Sequence, residues 1–217
     1  KAFDLIIIDE VDAFPFEYNT KYDYAVKKSM DENCTCLYLT STPSKKIIDK
    51  KMDTYIINRR WHGHDLPVPT FSYMHLNLFN YKIIPLSIKL LLKKNRKQLW
   101  FVSDIEMVKK IHDLIFKSNV NKRVEYVYSS DPLRRKKIVS FENEEIDILI
   151  STTILERGVT FRDIDVYILD STSKLYNVAS LVQIAGRVGR KKEFQNGKVH
   201  FFHQGITQEM IETKKQL

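Results

Sequence analysis

Residues 99–128, LWFVSDIEMVKKIHDLIFKSNVNKRVEYVY, contain a helical pattern between two short apolar runs. Leu99–Val102 and Val124–Tyr128 are rich in aromatic and β-branched residues, which predicts buried strands. Apolar residues recur between them at helical spacing, at Ile105, Val108, Ile111 and Ile115. We predict that this helix begins at Ser103, whose hydroxyl caps it while Glu106 reaches back. A strand, a helix and a second strand in succession indicate a parallel α/β unit.

The same alternation extends along the whole chain and predicts an α/β fold with parallel sheets. Helices are predicted from Pro43 and from Asn177. The other predicted strands are Leu5–Ile8, Cys36–Leu39, Tyr55–Ile57, Ile146–Ile150, Val166–Leu169 and Val199–Phe202. The pattern breaks down over residues 59–80, so we place a domain boundary near residue 80. Residues 1–80 are then the later half of one domain with a connection, and residues 81–217 form a second domain.

Composition limits the class of protein. The chain has 217 residues, 43% of them hydrophobic, which suits one or two globular domains. Its formal net charge of +8 favours polyanionic partners such as nucleic acid. Cys34 and Cys36 are too few for a zinc site, and His62 and His64 lack a third ligand nearby. Reduced cysteines, with no signal-peptide pattern and no long apolar run, predict a cytoplasmic protein without membrane insertion.

Acidic residues end the first strand, in the sequence IIIDEVD of residues 6–12. Open α/β sheets bind ligands at this carboxyl edge. Asp9 suits Mg²⁺, which prefers carboxylate oxygens, and Glu10 suits a base that activates water for attack on a γ-phosphate. The alternative is an acidic turn that merely closes a strand.

Hydroxyl residues end the next strand, at Thr40, Ser41 and Thr42. Beside a nucleotide they can sense the phosphate and pass its state to a neighbouring surface, or they can simply cap the following helix. Hydroxyls also end strands of the second domain, at Ser103, Ser129, Thr152 and Thr153. These suit a phosphodiester backbone.

The most specific stretch is QIAGRVGR, residues 183–190, where a predicted helix ends in a glycine-containing turn. Arg187 and Arg190 are three residues apart, so both guanidinium groups can reach one ligand. Arginine grips phosphate oxygens bidentately and stays charged. A basic helix end with a purely structural role is the alternative.

Taken together these stretches resemble helicase superfamily two, and DEVDAFP, TSTP, TTILERGVTF and QIAGRVGR resemble the ComFA family of late-competence DNA translocases. The resemblance implies RecA-like domains, the C-terminal one complete and the N-terminal one partial, with ATP hydrolysed between them. It implies catalytic roles for Asp9, Glu10, Gln183, Arg187 and Arg190, and DNA contacts from Thr152 and Thr153. Asp12 and Gly158 are expected to join the acids and arginines around the ATP.

The family resemblance further implies an ATP- and Mg²⁺-dependent motor that pulls single-stranded DNA into the cell. Such a motor works in the cytoplasm at the inner face of the membrane, together with other competence proteins. Two departures stand out. Thr160 occupies a position where many relatives have aspartate, and the chain has no GxxxxGK[ST] phosphate loop and no four-cysteine cluster. We therefore expect a fragment that is inactive alone. The alternatives are a non-catalytic nucleic-acid or partner-binding module, and a restriction, replication-restart or RNA helicase motor.

Overall fold

A computed structural model describes residues 3–12, 20–43, 45–49, 52–57, 60–61, 63, 65–153, 161–190, 193 and 196–217. The chain divides into two compact units, Lys1–Ile56 and Ile57–Leu217. Both are α/β with parallel strand pairing, as the sequence predicts.

The first unit contains two parallel strands, β1 (Phe3–Ile8) and β2 (Met30–Tyr38), together with helix α1 (Thr20–Ser29) and the short helix α2 (Lys45–Ile48). Strand β1 has the predicted position, and β2 begins six residues before the predicted Cys36. The helix predicted from Pro43 begins at Lys45.

The second unit is built on a six-stranded sheet in the order β3-β8-β7-β4-β6-β5, and every neighbouring pair is parallel. Its strands are β3 (Thr70–Tyr73), β4 (Lys97–Phe101), β5 (Val124–Val127), β6 (Ile148–Ser151), β7 (Ile164–Ile168) and β8 (Val199–His203). Its α-helices are α3 (Leu86–Leu92), α4 (Ile105–Lys117), α5 (Arg134–Glu142), α6 (Val178–Ala185) and α7 (Gln208–Gln216), with a 3₁₀ helix at Leu76–Tyr81.

Two apolar clusters form the core of this unit, because successive side chains of a strand point to opposite faces of the sheet. Trp100 and Ile148 belong to the cluster that also contains the buried residues of α3 and α4. Phe101 and Leu149 belong to the other cluster, with buried residues of α6 and α7. Three layers result, with a sheet covered on both faces. The central strands therefore read as continuous apolar runs.

Helix α4 buries the predicted stripe at Val108, Ile111 and Ile115, but the prediction that it begins at Ser103 is wrong. The cap is Asp104, whose carboxylate accepts hydrogen bonds from the backbone N–H groups of Glu106 and Met107. A carboxylate at the N-terminus also complements the helix dipole. Ser103 uses its hydroxyl elsewhere, as described below.

Two strand predictions fail for tertiary reasons. Tyr55–Ile57 forms no strand, and its side chains are 79–89% exposed, because an apolar run becomes a strand only where a neighbour pairs with it. Strand β3, in the segment predicted as irregular, is held by parallel pairing with β8. The predicted boundary near residue 80 falls within the second compact unit. The division of the chain into family domains stays a prediction.

Candidate functional site

The acidic turn after β1 exposes two carboxylates at the carboxyl edge of the first unit. Asp9 and Glu10 are both exposed, and the backbone N–H of Glu10 donates to Oδ1 of Asp9 at 2.9 Å. Glu10 has a φ of +51°, in the left-handed region that side chains other than glycine adopt at a cost of roughly 1–2 kcal/mol.

Asp12 joins this acidic turn to the hydroxyl turn after β2. Its carboxylate is 8% exposed and accepts hydrogen bonds from the hydroxyls of Thr40 at 2.6 Å and Thr42 at 2.8 Å. The Thr40 hydroxyl also accepts from the backbone N–H of Thr42 at 3.0 Å, while Ser41 is exposed. The two turns that the sequence singled out are thus connected through one buried carboxylate.

Backbone hydrogen bonds fix the two turns in register. The N–H of Leu39 donates to the carbonyl of Ile8 at 2.8 Å, and the N–H of Val11 donates to the carbonyl of Leu39 at 3.2 Å. Backbone bonds as well as the Asp12 carboxylate therefore join the two turns.

In the second unit the predicted arginine turn follows helix α6. The helix begins as predicted, with the Asn177 side chain accepting from the backbone N–H of Ser180 at 2.8 Å. The turn contains Gly189 at a φ of +68°. Arg187 is buried at 2% exposure, and Arg190 is partly exposed, with its Nε donating to the carbonyl of Gly186 at 3.0 Å. Of the two arginines, Arg190 is thus the more accessible.

Gln183 lies on helix α6 within the same predicted motif. Its Oε1 is buried and accepts no hydrogen bond from any residue that the structure describes. Buried acceptors without a donor are unusual, and a ligand is one explanation for them.

Two residues around the arginine turn escaped the sequence reasoning. Arg60 donates from Nη1 to the carbonyl of Val188 at 2.7 Å and from Nη2 to the carbonyl of Gly186 at 3.1 Å. Gly197 faces the carbonyl oxygen of Ile164 and the Val188 side chain so closely that a Cβ would overlap both. The sequence around neither residue indicates its contact. Arg60 is 128 residues from Val188, and the small size of Gly197 matters only where Ile164 and Val188 pack against it.

Hydroxyl groups end several strands of the large sheet, as predicted. Ser103, after β4, donates its backbone N–H to Oδ2 of Asp170 at 2.9 Å, and its hydroxyl donates to the same oxygen. Burial raises the pKa of Asp170, while the hydrogen bonds from Ser103 and Tyr176 act in the opposite direction. Thr152 and Thr153, after β6, are partly buried, and Ser129, after β5, is exposed. Gly158 and Thr160 lie outside the described residues.

The acidic turn offers the ligand type that Mg²⁺ prefers. No three histidine, cysteine or acidic side chains gather into a metal site anywhere in the described ranges. Magnesium bound with a nucleotide requires only one or two protein carboxylates, since phosphates and waters supply the other ligands. The exposed Asp9 carboxylate therefore fits the ion expected with ATP. Among the helices that the structure describes, none combines the length and the apolar character that crossing a bilayer demands.

Residues 82–192 match the family model of the helicase conserved C-terminal domain. Over its full length the chain is 34% identical to competence protein ComFA of Streptococcus pneumoniae and 35% identical to ComFA of Bacillus subtilis. The matches cover 52% and 48% of those proteins, so the chain spans about half the length of these curated relatives.

Solved structures of helicases share the fold. Saccharomyces cerevisiae Dbp5 bound to RNA and ADP BeF3 matches 99% of this chain and 57% of its own, with a TM-score of 0.64 and 11% identity. A DEAD box protein from Methanococcus jannaschii matches 98% of this chain and 56% of its own, with a TM-score of 0.54 and 17% identity. These similarities confirm the predicted RecA-like fold class. The chain therefore belongs to the helicase conserved C-terminal domain family, and over its whole length it is similar to the competence protein ComFA.

Proposed function

We propose that this chain is part of an ATP-driven translocase that moves single-stranded DNA during DNA uptake in natural competence. The observation that carries the proposal is the hydrogen-bonded link from Asp12 to Thr40 and Thr42, next to the exposed Asp9 and Glu10. An acid pair that hydrolyses ATP needs a link of this kind if a change at the phosphate is to move a neighbouring part of the protein. The ComFA relatives, named as competence proteins, support the biological setting.

In this proposal Glu10 orients and deprotonates the water that attacks the γ-phosphate. Asp9 holds the metal–nucleotide complex, and the backbone bond from Glu10 to its Oδ1 sets the orientation of the carboxylate. Mg²⁺, when bound, neutralises charge on the phosphate oxygens. Arg187 and Arg190 are proposed to bind a nucleotide phosphate and supply positive charge as the transition state forms, with Gln183 close to the phosphate.

Movement passes from the acidic turn to the hydroxyl turn in this scheme. A shift of the acidic turn after hydrolysis acts on Asp12, and the two hydroxyl bonds carry the shift to Thr40, Ser41 and Thr42. Charge-assisted hydrogen bonds are strong and directional enough to make such a link stiff.

We propose that DNA lies along the hydroxyl groups at the carboxyl ends of β4, β5 and β6, and that its phosphates contact Ser129, Thr152 and Thr153. The net charge of +8 supports a polyanionic partner. Ser103 has a special position, because its single hydroxyl hydrogen already goes to Asp170 and a phosphate oxygen can only accept. Contact between Ser103 and DNA therefore requires the hydroxyl to turn away from Asp170. We also propose a cytoplasmic location at the inner face of the membrane, with other competence proteins as partners.

ATP turnover by the complete protein tests this function. We expect single-stranded DNA to stimulate turnover more than duplex DNA or RNA of the same length. Preferential stimulation by RNA or duplex DNA would assign the chain to another kind of helicase motor. DNA binding that falls steeply with salt, with no nucleotide-dependent step in the complete protein, would instead identify a non-catalytic binding module.

A further inference from the structure

Arg60 lies shortly after the start of the second compact unit and spans the arginine turn with both ends of its guanidinium group. Nη1 reaches the carbonyl of Val188 at 2.7 Å and Nη2 reaches the carbonyl of Gly186 at 3.1 Å. The Gly186 carbonyl also accepts from Nε of Arg190 at 3.0 Å. One carbonyl therefore connects Arg60 directly with the more accessible arginine of the turn.

We propose that Arg60 is a positioning residue that holds the Gly186–Arg190 turn in the conformation from which Arg190 reaches a phosphate. This inference rests on the proposed function, because it assigns Arg60 to the same ATP-hydrolysing site. Arg60 itself does not need to touch the nucleotide.

Support from Arg60 acts beyond the last backbone hydrogen bonds of the turn, in which the N–H groups of Arg187 and Val188 donate to the carbonyls of Ile184 and Ala185 at 3.1 and 3.2 Å. Glycine at residues 186 and 189 permits many conformations, and Gly189 lies in the left-handed region at a φ of +68°. The last carbonyls of a helix have no partner within the helix, and they carry its negative partial charge. The Arg60 guanidinium group satisfies the carbonyl of Gly186 at the end of the helix and that of Val188 in the turn that follows, and its charge complements the helix end.

Arginine is specifically suited to this task. Its planar fork presents two N–H donors at a fixed separation, which matches two carbonyls two residues apart. A lysine ammonium is a point charge on a flexible stem, so it does not hold both carbonyls in one fixed arrangement. Asparagine and glutamine have shorter side chains than arginine and lack its guanidinium group.

Burial lowers the pKa of Arg60, and the positive charge of Arg190 lowers it further. The two guanidinium groups therefore lie close enough to influence each other around one carbonyl.

The test compares Arg60→Gln and Arg60→Lys with a control, Arg123→Gln, in the complete protein. Arg123 also donates to a backbone carbonyl, that of Glu144, and pairs with Asp147 at the surface. We expect both Arg60 variants to lower the kcat of DNA-stimulated ATP hydrolysis by about tenfold to a hundredfold, as misplaced catalytic groups do. The KM for ATP and the affinity for single-stranded DNA should stay within about twofold, because Arg190 acts on charge that develops in the transition state. The control variant should match wild type in kcat, in KM for ATP and in affinity for single-stranded DNA.

Hydrogen exchange gives a second readout that does not depend on activity. Backbone amides of residues 186–190 should exchange at least about tenfold faster in both Arg60 variants, while amides of β4 and β7 keep their wild-type rates. Wild-type kcat in both variants would overturn the inference, whether or not exchange accelerates. Faster exchange in a protein that hydrolyses no ATP even as wild type would refute the proposed function and leave the structural support by Arg60 established.

Discussion

His200 provides a pH-dependent test of how the edge strand β3 is attached to the large sheet. The imidazole lies on β8, and its Nδ1 is 2.6 Å from the hydroxyl of Thr70 on β3. The pKa of His200 is lowered from 6.5 to about 4, chiefly by burial and also by the electrostatic influence of Lys94 and then His203. The folded chain therefore holds the ring neutral over a range in which the unfolded chain protonates it.

The direction in which stability changes with pH follows from the lowered pKa of His200. Above pH 6.5 the ring is neutral in both states, so its contribution to stability is fully present. As pH falls from 6.5 towards 4, the unfolded state binds a proton that the folded state refuses, and stability is lost. The difference of about 2.5 pKa units corresponds to at most about 3 kcal/mol. The ring is only partly buried, so solvent screening reduces the expected loss to about 1–2 kcal/mol.

Urea unfolding at a series of pH values measures this loss through tryptophan fluorescence, whose change comes mainly from the buried Trp100 because Trp61 is already 84% exposed. Other groups titrate in the same range, so the useful quantity is the difference in unfolding free energy between wild type and His200→Gln. The unfolding free energy of wild type should fall by about 1–2 kcal/mol relative to that of the variant between pH 7.5 and pH 4.5. A difference that stays constant over this range would refute the assignment of a neutral, buried His200.

Further predictions concern the two turns and a tight contact. Glu10→Gln should lower ATP turnover of the complete protein at least about a hundredfold while ATP and DNA binding persist. Substantial residual turnover in a kinetic assay would show that Glu10 is not the base. Thr42→Val leaves Asp12 with one hydroxyl donor fewer and should reduce DNA stimulation of turnover more than basal turnover, and equal losses would contradict a coupling role. Gly197→Ala should destabilise the chain by about 1–3 kcal/mol in urea unfolding. Gly205→Ala should behave as wild type, because among the described residues no atom beyond its chain neighbours lies within 4 Å of the new Cβ.

Much of the fold was predictable because the central strands are buried on both faces. Such strands are continuous apolar runs, and β4, β7 and β8 therefore appear in the sequence near their observed positions. Local capping was partly predictable. Asn177 caps α6 as expected, whereas α4 takes its cap from Asp104, because two adjacent residues can both serve and only tertiary contacts choose between them.

The candidate site was predictable as a set of residues but not as a set of contacts. The acidic and hydroxyl turns were both recognised, yet the bond from Thr40 to Asp12 joins residues 28 positions apart and has no local pattern. Arg60 was missed for the same reason, since it lies in a segment without periodicity and acts on carbonyl groups rather than on side chains. Backbone acceptors are present at every position, so a sequence does not mark the ones that a distant arginine will use.

ATP-driven displacement of streptavidin from biotinylated single-stranded DNA tests the central claim most directly. The complete protein should displace streptavidin from one end of the strand far faster than from the other, only with ATP and Mg²⁺, and Glu10→Gln should abolish the displacement. A protein that hydrolyses ATP in response to single-stranded DNA but displaces streptavidin from neither end would contradict the claim that this chain is part of a translocating motor.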